Sequence, residues 1–146
     1  MKGVNYMSLE FPSKSCNEAF ARGAIACFAA QLDPTMDELG DIKTAVSEAV
    51  TNCIVHAYPQ EIGTIILKAR ILEDHVLEII VKDRGCGIED LQQARTPMFT
   101  TGGEERSGMG ITIMESFMSE FRITSKVGKG TTVHMRRKII DRGGKK

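Results

Sequence analysis

The alternation of apolar and polar positions predicts a strand near the amino terminus. Met7, Leu9 and Phe11 are apolar, and the residues between them are polar. Successive side chains of a strand point to opposite faces, so this pattern is typical of a strand with one buried face. Pro12 has no backbone N–H to pair and should end the strand.

The next stretch has the spacing of an amphipathic helix. Ser15 followed by Glu18 has the pattern of a capping box, in which each side chain bonds the backbone N–H of the other residue. Apolar residues then recur at helical spacing to about Leu32. Asp33-Pro34 should break this helix, because a residue before proline disfavours the helical conformation.

A second helix is predicted to begin at Thr35, which is followed by Glu38 in another capping-box pattern. The helical pattern continues to about Tyr58, and Pro59 should end it. An apolar stripe that includes Ala49 is expected to face a sheet.

The rest of the chain alternates strand patterns with one further helix. Beyond Gly63, the pattern predicts strands at Thr64–Leu72 and Val76–Lys82, a loop-rich stretch at Asp83–Gly108, a third helix at Met109–Phe121, and strands at Arg122–Val127 and Gly130–Lys138. The end of the chain, Arg142–Lys146, is charged, and the tail over residues 139–146 is expected to be disordered. These elements predict an α+β fold: a two-layer α/β sandwich with a mainly antiparallel sheet covered by three helices, in one domain over residues 1–138.

Composition narrows the classes of function. Lys+Arg and Asp+Glu number 19 each, which argues against nucleic-acid binding through bulk positive charge. The first residues lack the apolar core of a signal peptide and no apolar run is long enough to span a membrane, so we expect a cytoplasmic protein. The four cysteines show no CxxC spacing, which favours reduced thiols over a zinc site.

One polar stripe of the second predicted helix carries candidate chemistry. Glu48, Asn52 and His56 are spaced four residues apart and therefore lie on one side of a helix. An amide oxygen can ligate Mg²⁺, and a nearby carboxylate can orient a nucleophile. Taken alone, Glu48 and Asn52 are more typical of an exposed helix pair.

A second candidate motif follows the predicted strand 76–82. Asp83, Gly85 and Gly87 form a DxGxG pattern, which places a carboxylate at a strand end beside a backbone that can pass close to a flat ligand. Such a carboxylate can accept a hydrogen bond from the exocyclic amine of adenine. On its own, the pattern favours a hairpin or a strand-to-loop turn.

Glycines and threonines complete the set of candidates. Gly108 and Gly110 stand at the start of the third predicted helix, where exposed N–H groups and the helix dipole favour phosphate. The preceding segment has the composition of a lid over phosphates, or of a surface loop. Three further polar candidates are Thr100 and Thr101 in that segment and Thr131 in the last strand.

In this order the motifs ExxxN, DxGxG, GxG and GTT resemble the nucleotide-binding boxes of the GHKL ATPase/kinase superfamily. The stretches 31–39, 42–52 and 106–115 are similar to the anti-sigma F family of endospore-forming bacteria within it. The resemblance implies a GHKL fold, ATP/ADP and Mg²⁺ as cofactors, a homodimer, binding of sigma factor F, and phosphorylation of a serine on an anti-anti-sigma factor.

The resemblance also implies a role for each matching residue. Glu48 would be the general base and Asn52 the Mg²⁺ ligand, while Asp83 would bind the adenine amine. The other nucleotide contacts would come from Gly85, Gly87, Thr100, Thr101, Arg106, Gly108, Gly110 and Thr131. Arg22 would lie on the surface that binds the protein partners.

Two other functions fit the same motifs. One is an anti-sigma kinase of the general stress response, and the other is an anti-sigma module that binds its partner without transferring phosphate. A sensor histidine kinase is disfavoured, because none of the three histidines lies in an appended dimerisation helix.

Overall fold

The computed structural model describes residues 3–88 and 110–141. Its strands and helices are β1 (Gly3–Pro12), α1 (Cys16–Ala29), α2 (Met36–Asn52), β2 (Thr64–Leu72), β3 (Val76–Asp83), α3 (Gly110–Phe117), β4 (Glu120–Lys126) and β5 (Gly130–Lys138). A 3₁₀ turn at Ala30–Leu32 follows α1, and a π-helical turn at Cys53–Ala57 continues α2.

The strands form one antiparallel sheet with the order β1-β2-β3-β5-β4. β2 and β3 pair along their whole length from Ile65↔Asp83 to Leu72↔Val76, and β5 covers the other edge of β3. The predicted strand at 64–72 is confirmed residue for residue, and the α+β class and two-layer architecture are confirmed as well.

The helices pack against one face of this sheet. Ile25 of α1 and Ile42 of α2 are fully buried in one core with Leu67, Ile79 and Met135 from the three central strands. These sheet residues alternate with polar or half-buried neighbours, which is the pattern expected of a sheet with one buried face. No helix in the described part of the chain is both long and apolar enough to cross a membrane.

One of the two predicted capping boxes is confirmed and the other is wrong. At α2, the Glu38 N–H donates to Thr35 Oγ1 at 3.0 Å, and the Thr35 N–H donates to Glu38 Oε1 at 2.8 Å. At α1, the Ser15 side chain makes no capping hydrogen bond. Glu18 instead accepts a hydrogen bond from Ser47 Oγ across the interface between α1 and α2, at 2.7 Å.

The third predicted helix is too long at its carboxyl end. α3 ends at Phe117, and β4 already begins at Glu120. The Ser119 N–H donates to the carbonyl of Arg136 at 2.8 Å, so the chain has joined β5 by that point. Arg137 also donates to the Phe117 carbonyl, which satisfies a terminal acceptor of the helix.

The other face of the sheet carries a buried acid on β3. The Glu78 side chain is only 1% exposed. It accepts hydrogen bonds from Arg70 Nε at 2.6 Å and from Arg136 Nε at 3.1 Å, and His134 Nε2 lies 2.8 Å from it. Burial alone would raise the pKa of Glu78, but the hydrogen bonds from these three residues lower it below its usual range.

Candidate nucleotide site

The end of α2 is joined to the loop that follows β3. The Cys86 N–H donates to the carbonyl of Ala57 at 3.0 Å, and Cys86 Sγ lies 3.1 Å from the carbonyl of His56. Both carbonyls belong to the π-helical turn, a feature that is frequent at functional sites. The turn therefore positions the DxGxG loop against the helix that carries Glu48 and Asn52.

Asp83 is the centre of one end of the site. It is the last residue of β3, and it is only 5% exposed. Its Oδ1 accepts from the backbone N–H groups of Gly85, at 2.9 Å, and Thr131, at 3.2 Å. Three of the sequence-predicted residues therefore meet through one carboxylate oxygen.

Cys53 contacts the other oxygen of this carboxylate. Its Sγ lies 3.4 Å from Asp83 Oδ2, in a hydrogen bond that the thiol donates. Burial, and then the charge of Asp83 and this hydrogen bond, raise the pKa of the Cys53 thiol well above its usual range. The sulfur therefore keeps its proton at neutral pH and remains a donor to Asp83. Cys53 belongs to none of the motifs that predict the site, although it directly follows Asn52.

Tyr58 is a second residue of the site that lies outside the predicted motifs. Its hydroxyl accepts from the Arg84 N–H at 2.8 Å and donates to the carbonyl of Thr64 at 2.9 Å. The ring is buried, so the phenol links the end of α2, the start of β2 and the DxGxG loop. Only its position at the end of the predicted helix could have pointed to it.

Gly87 and Thr131 lie where the loop approaches the β4–β5 hairpin. Gly87 has φ +79°, and a Cβ on it would collide with the Lys126 carbonyl, so this position requires glycine. Ser125 Oγ lies 2.7 Å from Thr131 Oγ1 and accepts from the Ile88 N–H at 2.7 Å. Ser125 was not predicted, and only its register opposite Thr131 would have revealed it.

Glu48, Asn52 and Gly110 form the other end of the site. A Cβ placed on Gly110 would lie 3.0 Å from Glu48 Oε2 and 3.5 Å from the side-chain oxygen and nitrogen of Asn52. Within residues 3–88 and 110–141, neither polar side chain makes a hydrogen bond with another residue. The carboxylate and the amide therefore converge at the first residue of α3, with their polar atoms available to a ligand.

Thr100, Thr101, Arg106 and Gly108 lie outside the described residues, as do most of the predicted loop and Met109. The other predicted nucleotide contacts fall into two groups. Asp83, Gly85, Gly87 and Thr131 lie together at what we term the base end, whereas Glu48, Asn52 and Gly110 meet at the phosphate end.

The oxygen atoms at the phosphate end suit a Mg²⁺ ion that is also bound by phosphate. They do not suit a metal held by protein side chains alone. The described part of the chain contains no group of three or more His, Cys, Asp or Glu side chains that could hold a metal. Mg²⁺ usually takes only one or two protein oxygens together with phosphate oxygens and water. The uncommitted Asn52 amide fits this requirement.

Arg22 lies in a groove between α1 and α2 that has a volume of about 270 Å³. The other residues that line the groove are Gly40, Lys43, Thr44 and Ser47. Glu18 Oε2, which accepts from Ser47, also pairs with Arg22 Nε at 3.6 Å. Ser47 directly precedes Glu48, so the groove reaches the turn of α2 that carries the phosphate end.

Comparison with known proteins identifies the family of this chain. The model of the histidine kinase-like ATPase domain matches residues 11–137. A protein of Caldanaerobacter subterraneus subsp. tengcongensis named anti-sigma F factor is 57% identical over 140 residues, which cover 95% of this chain and 97% of the relative. One of the same name from Geobacillus kaustophilus is 54% identical over 136 residues, covering 92% and 93% of the two chains.

Two solved structures share the fold. The RsbU and RsbW domains of Rv1364c from Mycobacterium tuberculosis superpose with a TM-score of 0.69 at 20% identity, covering 93% of this chain and 33% of that one. The histidine kinase domain of a blue-light activated kinase from Erythrobacter litoralis gives 0.58 at 23% identity, covering 84% and 60%. Taken with the family match and the close relatives, this chain belongs to the histidine kinase-like ATPase family, within its group of anti-sigma F factors.

Proposed function

We propose that this protein is an anti-sigma factor that binds sigma factor F and also phosphorylates a serine of an anti-anti-sigma factor with Mg·ATP. The observation that supports the kinase activity best is the meeting of Glu48, Asn52 and Gly110 at one point. The high identity to proteins named anti-sigma F factor supports the choice of sigma factor as partner.

Each end of the site has its own task in this proposal. Asp83 accepts the 6-amino group of adenine, with Gly85, Gly87 and Thr131 shaping that end. Asn52 holds Mg²⁺, which when bound neutralises charge on the phosphate oxygens. Gly108, Gly110 and the residues Thr100, Thr101 and Arg106 complete the phosphate contacts.

Glu48 acts on the protein substrate. Phosphoryl transfer depends mainly on positioning and on charge stabilisation. The carboxylate of Glu48 accepts the proton of the incoming serine hydroxyl, or orients that hydroxyl, next to the amide of Asn52. Its Oε2 lies at the start of α3, where N–H groups of a helix terminus stabilise negative charge.

The protein partners bind at the surface around Arg22, which is 43% exposed in its side chain. Arg22 and Lys43 contribute positive charge to the groove, and Glu18 pairs with Arg22 at its edge. The chain functions in the cytoplasm as a homodimer in this proposal, and sedimentation of the purified protein tests that assembly.

The experiment that tests the function uses labelled ATP, Mg²⁺, the purified chain and candidate partners. We expect a phosphoserine on the anti-anti-sigma factor and a separate, unlabelled complex with sigma factor F. A stable complex without any transferred label would leave only a binding module. Label on the anti-anti-sigma factor of the general stress response, and none on the sporulation factor, would mean that the protein is an anti-sigma kinase of the general stress response.

A second experiment tests the partner surface. Arg22→Ala should weaken sigma factor binding at least several-fold, while the affinity for Mg·ATP stays the same, because Arg22 belongs to the groove and not to either end of the nucleotide site. Arg122→Ala, an exposed arginine on β4, is the matched control. Equal sigma affinity for all three proteins, measured by surface plasmon resonance, would refute this role.

A further inference from the structure

We infer that Cys53 is a positioning residue of the base end, whose thiol fixes the Asp83 carboxylate in the orientation that accepts the amino group of adenine. The inference rests on the proposed ATP binding and adds a residue to it. Its basis is the hydrogen bond of 3.4 Å between Cys53 Sγ and Asp83 Oδ2.

The hydrogen bonds around Asp83 show why the thiol matters. An ionised carboxylate has about four acceptor positions on its two oxygens. The N–H groups of Gly85 and Thr131 both donate to Oδ1, and the thiol donates to Oδ2. One position on Oδ2 is left, and a single donor from a ligand can occupy it.

The identity of that donor follows from the chemistry of the purines. Adenine carries an amine at carbon 6, which donates, whereas guanine carries a carbonyl oxygen there, which accepts. A carboxylate surrounded by three donors offers only an acceptor to the ligand. The arrangement therefore selects the base with the amine.

Without the thiol, only one oxygen of Asp83 would be held. The terminal torsion of aspartate has a broad energy minimum, so a carboxylate bonded through Oδ1 alone can turn. Cys53 prevents this motion because it is itself fixed: it is 4% exposed and begins the π-helical turn after α2. A buried cysteine that served only to fill space would have no effect specific to one base.

The test compares two nucleotides on four forms of the full chain. ATP and purine riboside triphosphate, which lacks the 6-amino group, are titrated calorimetrically into wild type, Cys53→Ala, Cys53→Ser and Cys27→Ala. In wild type, loss of the amine should weaken binding. In Cys53→Ala this penalty should shrink by about three- to tenfold, or about 0.7–1.4 kcal/mol, the range of one hydrogen bond.

The other variants separate positioning from packing. Cys53→Ser replaces the thiol with another donor and should restore most of the wild-type penalty. Cys27→Ala, at an exposed position of α1, should match wild type. If Cys53→Ala weakens both nucleotides equally, or leaves both unchanged, the thiol has no role in base recognition and the inference is wrong.

The same titrations distinguish this inference from the proposed function. If wild type binds ATP and discriminates against the nucleotide without the amine, but Cys53→Ala discriminates equally well, only the role of Cys53 is refuted. If wild type binds neither nucleotide, the proposed function and the inference fail together. Thermal melting without nucleotide verifies that each variant is folded.

Discussion

The base end and the phosphate end of the site are held in different ways. At the base end, Asp83 accepts from two backbone N–H groups and one thiol of the chain itself. At the phosphate end, Glu48 and Asn52 make no hydrogen bond with any other described residue. The base end is therefore part of the folded framework, whereas the phosphate end keeps its polar groups for ligands. Substitutions at the base end should consequently lower both stability and nucleotide binding, whereas those at the phosphate end should lower nucleotide binding or phosphoryl transfer.

The largest effect is expected from Glu48→Gln. The amide keeps the size of the side chain but cannot accept a proton, so phosphoryl transfer should fall about 10²–10⁴-fold, the usual contribution of a general base. The affinity for Mg·ATP and the melting temperature should stay near those of wild type. Single-turnover transfer, calorimetry and thermal melting measure the three quantities, and transfer at a nearly normal rate would exclude Glu48 as the base.

Asn52→Ala should affect nucleotide binding instead. Loss of a ligand to a charged group should weaken Mg·ATP binding by about ten- to a hundredfold, equivalent to about 1.4–2.7 kcal/mol. The same variant should bind ATP without Mg²⁺ about as well as wild type does. Titrations with and without Mg²⁺ provide this comparison. An equal loss in both conditions would show that Asn52 contacts the nucleotide directly or maintains the fold.

Asp83→Ala should damage both binding and stability. It leaves the N–H groups of Gly85 and Thr131 without their acceptor, which should lower the free energy of unfolding by about 1–3 kcal/mol. Urea denaturation measures this loss, and Glu48→Gln is the control from the phosphate end. The contrast between the two ends would disappear if both variants were as stable as wild type.

The smallest effect concerns Glu78, which lies on the opposite face of the sheet from the helices. A substitution there should change the stability of the fold without changing nucleotide binding. Because the pKa of Glu78 is lowered by folding, its contribution to stability is fully present above the pKa of the unfolded chain and is lost as the pH falls through the lower folded pKa. Glu78→Gln should therefore be less stable than wild type at neutral pH, and the difference should shrink below about pH 4.

The affinity of Glu78→Gln for ATP should remain unchanged, since Glu78 contacts neither end of the site. Glu120→Gln is a suitable control, because Glu120 is 69% exposed and lies 3.9 Å from the same Arg136. Urea denaturation between pH 3 and pH 7 tests the expected dependence. A constant difference over that range would mean that the carboxylate of Glu78 is not responsible.

Short-range patterns predicted most of the fold. The strand at 64–72 and the capping box at Thr35 depend on alternation and on residues three positions apart, and both are confirmed. The capping box at Ser15 is wrong because Glu18 instead accepts from Ser47, which is 29 residues away in the sequence. The end of α3 was misplaced for a similar reason, since pairing with β5 overrides the helical pattern.

The candidate site was predictable to a similar extent. Glu48, Asn52 and Asp83 were identified from motifs, and the structure places each beside a predicted glycine or threonine. Cys53, Tyr58 and Ser125 were not identified, because they act through contacts that only the folded chain creates. The roles of all these residues in binding and transfer remain predictions that the variants above address.

The π-helical turn has a consequence for changes in the length of the chain. Asn52 and Cys53 are neighbours in sequence, yet one faces the phosphate end and the other contacts the acceptor for the base. Each added helical residue rotates the following side chains by about 100°. A one-residue insertion between Asn52 and Cys53 would thus turn the thiol away from Asp83 while leaving Asn52 in place, and one between Cys53 and Ala57 would displace the Ala57 carbonyl that accepts from Cys86. Homologous chains should accordingly vary in residue type here far more readily than in length.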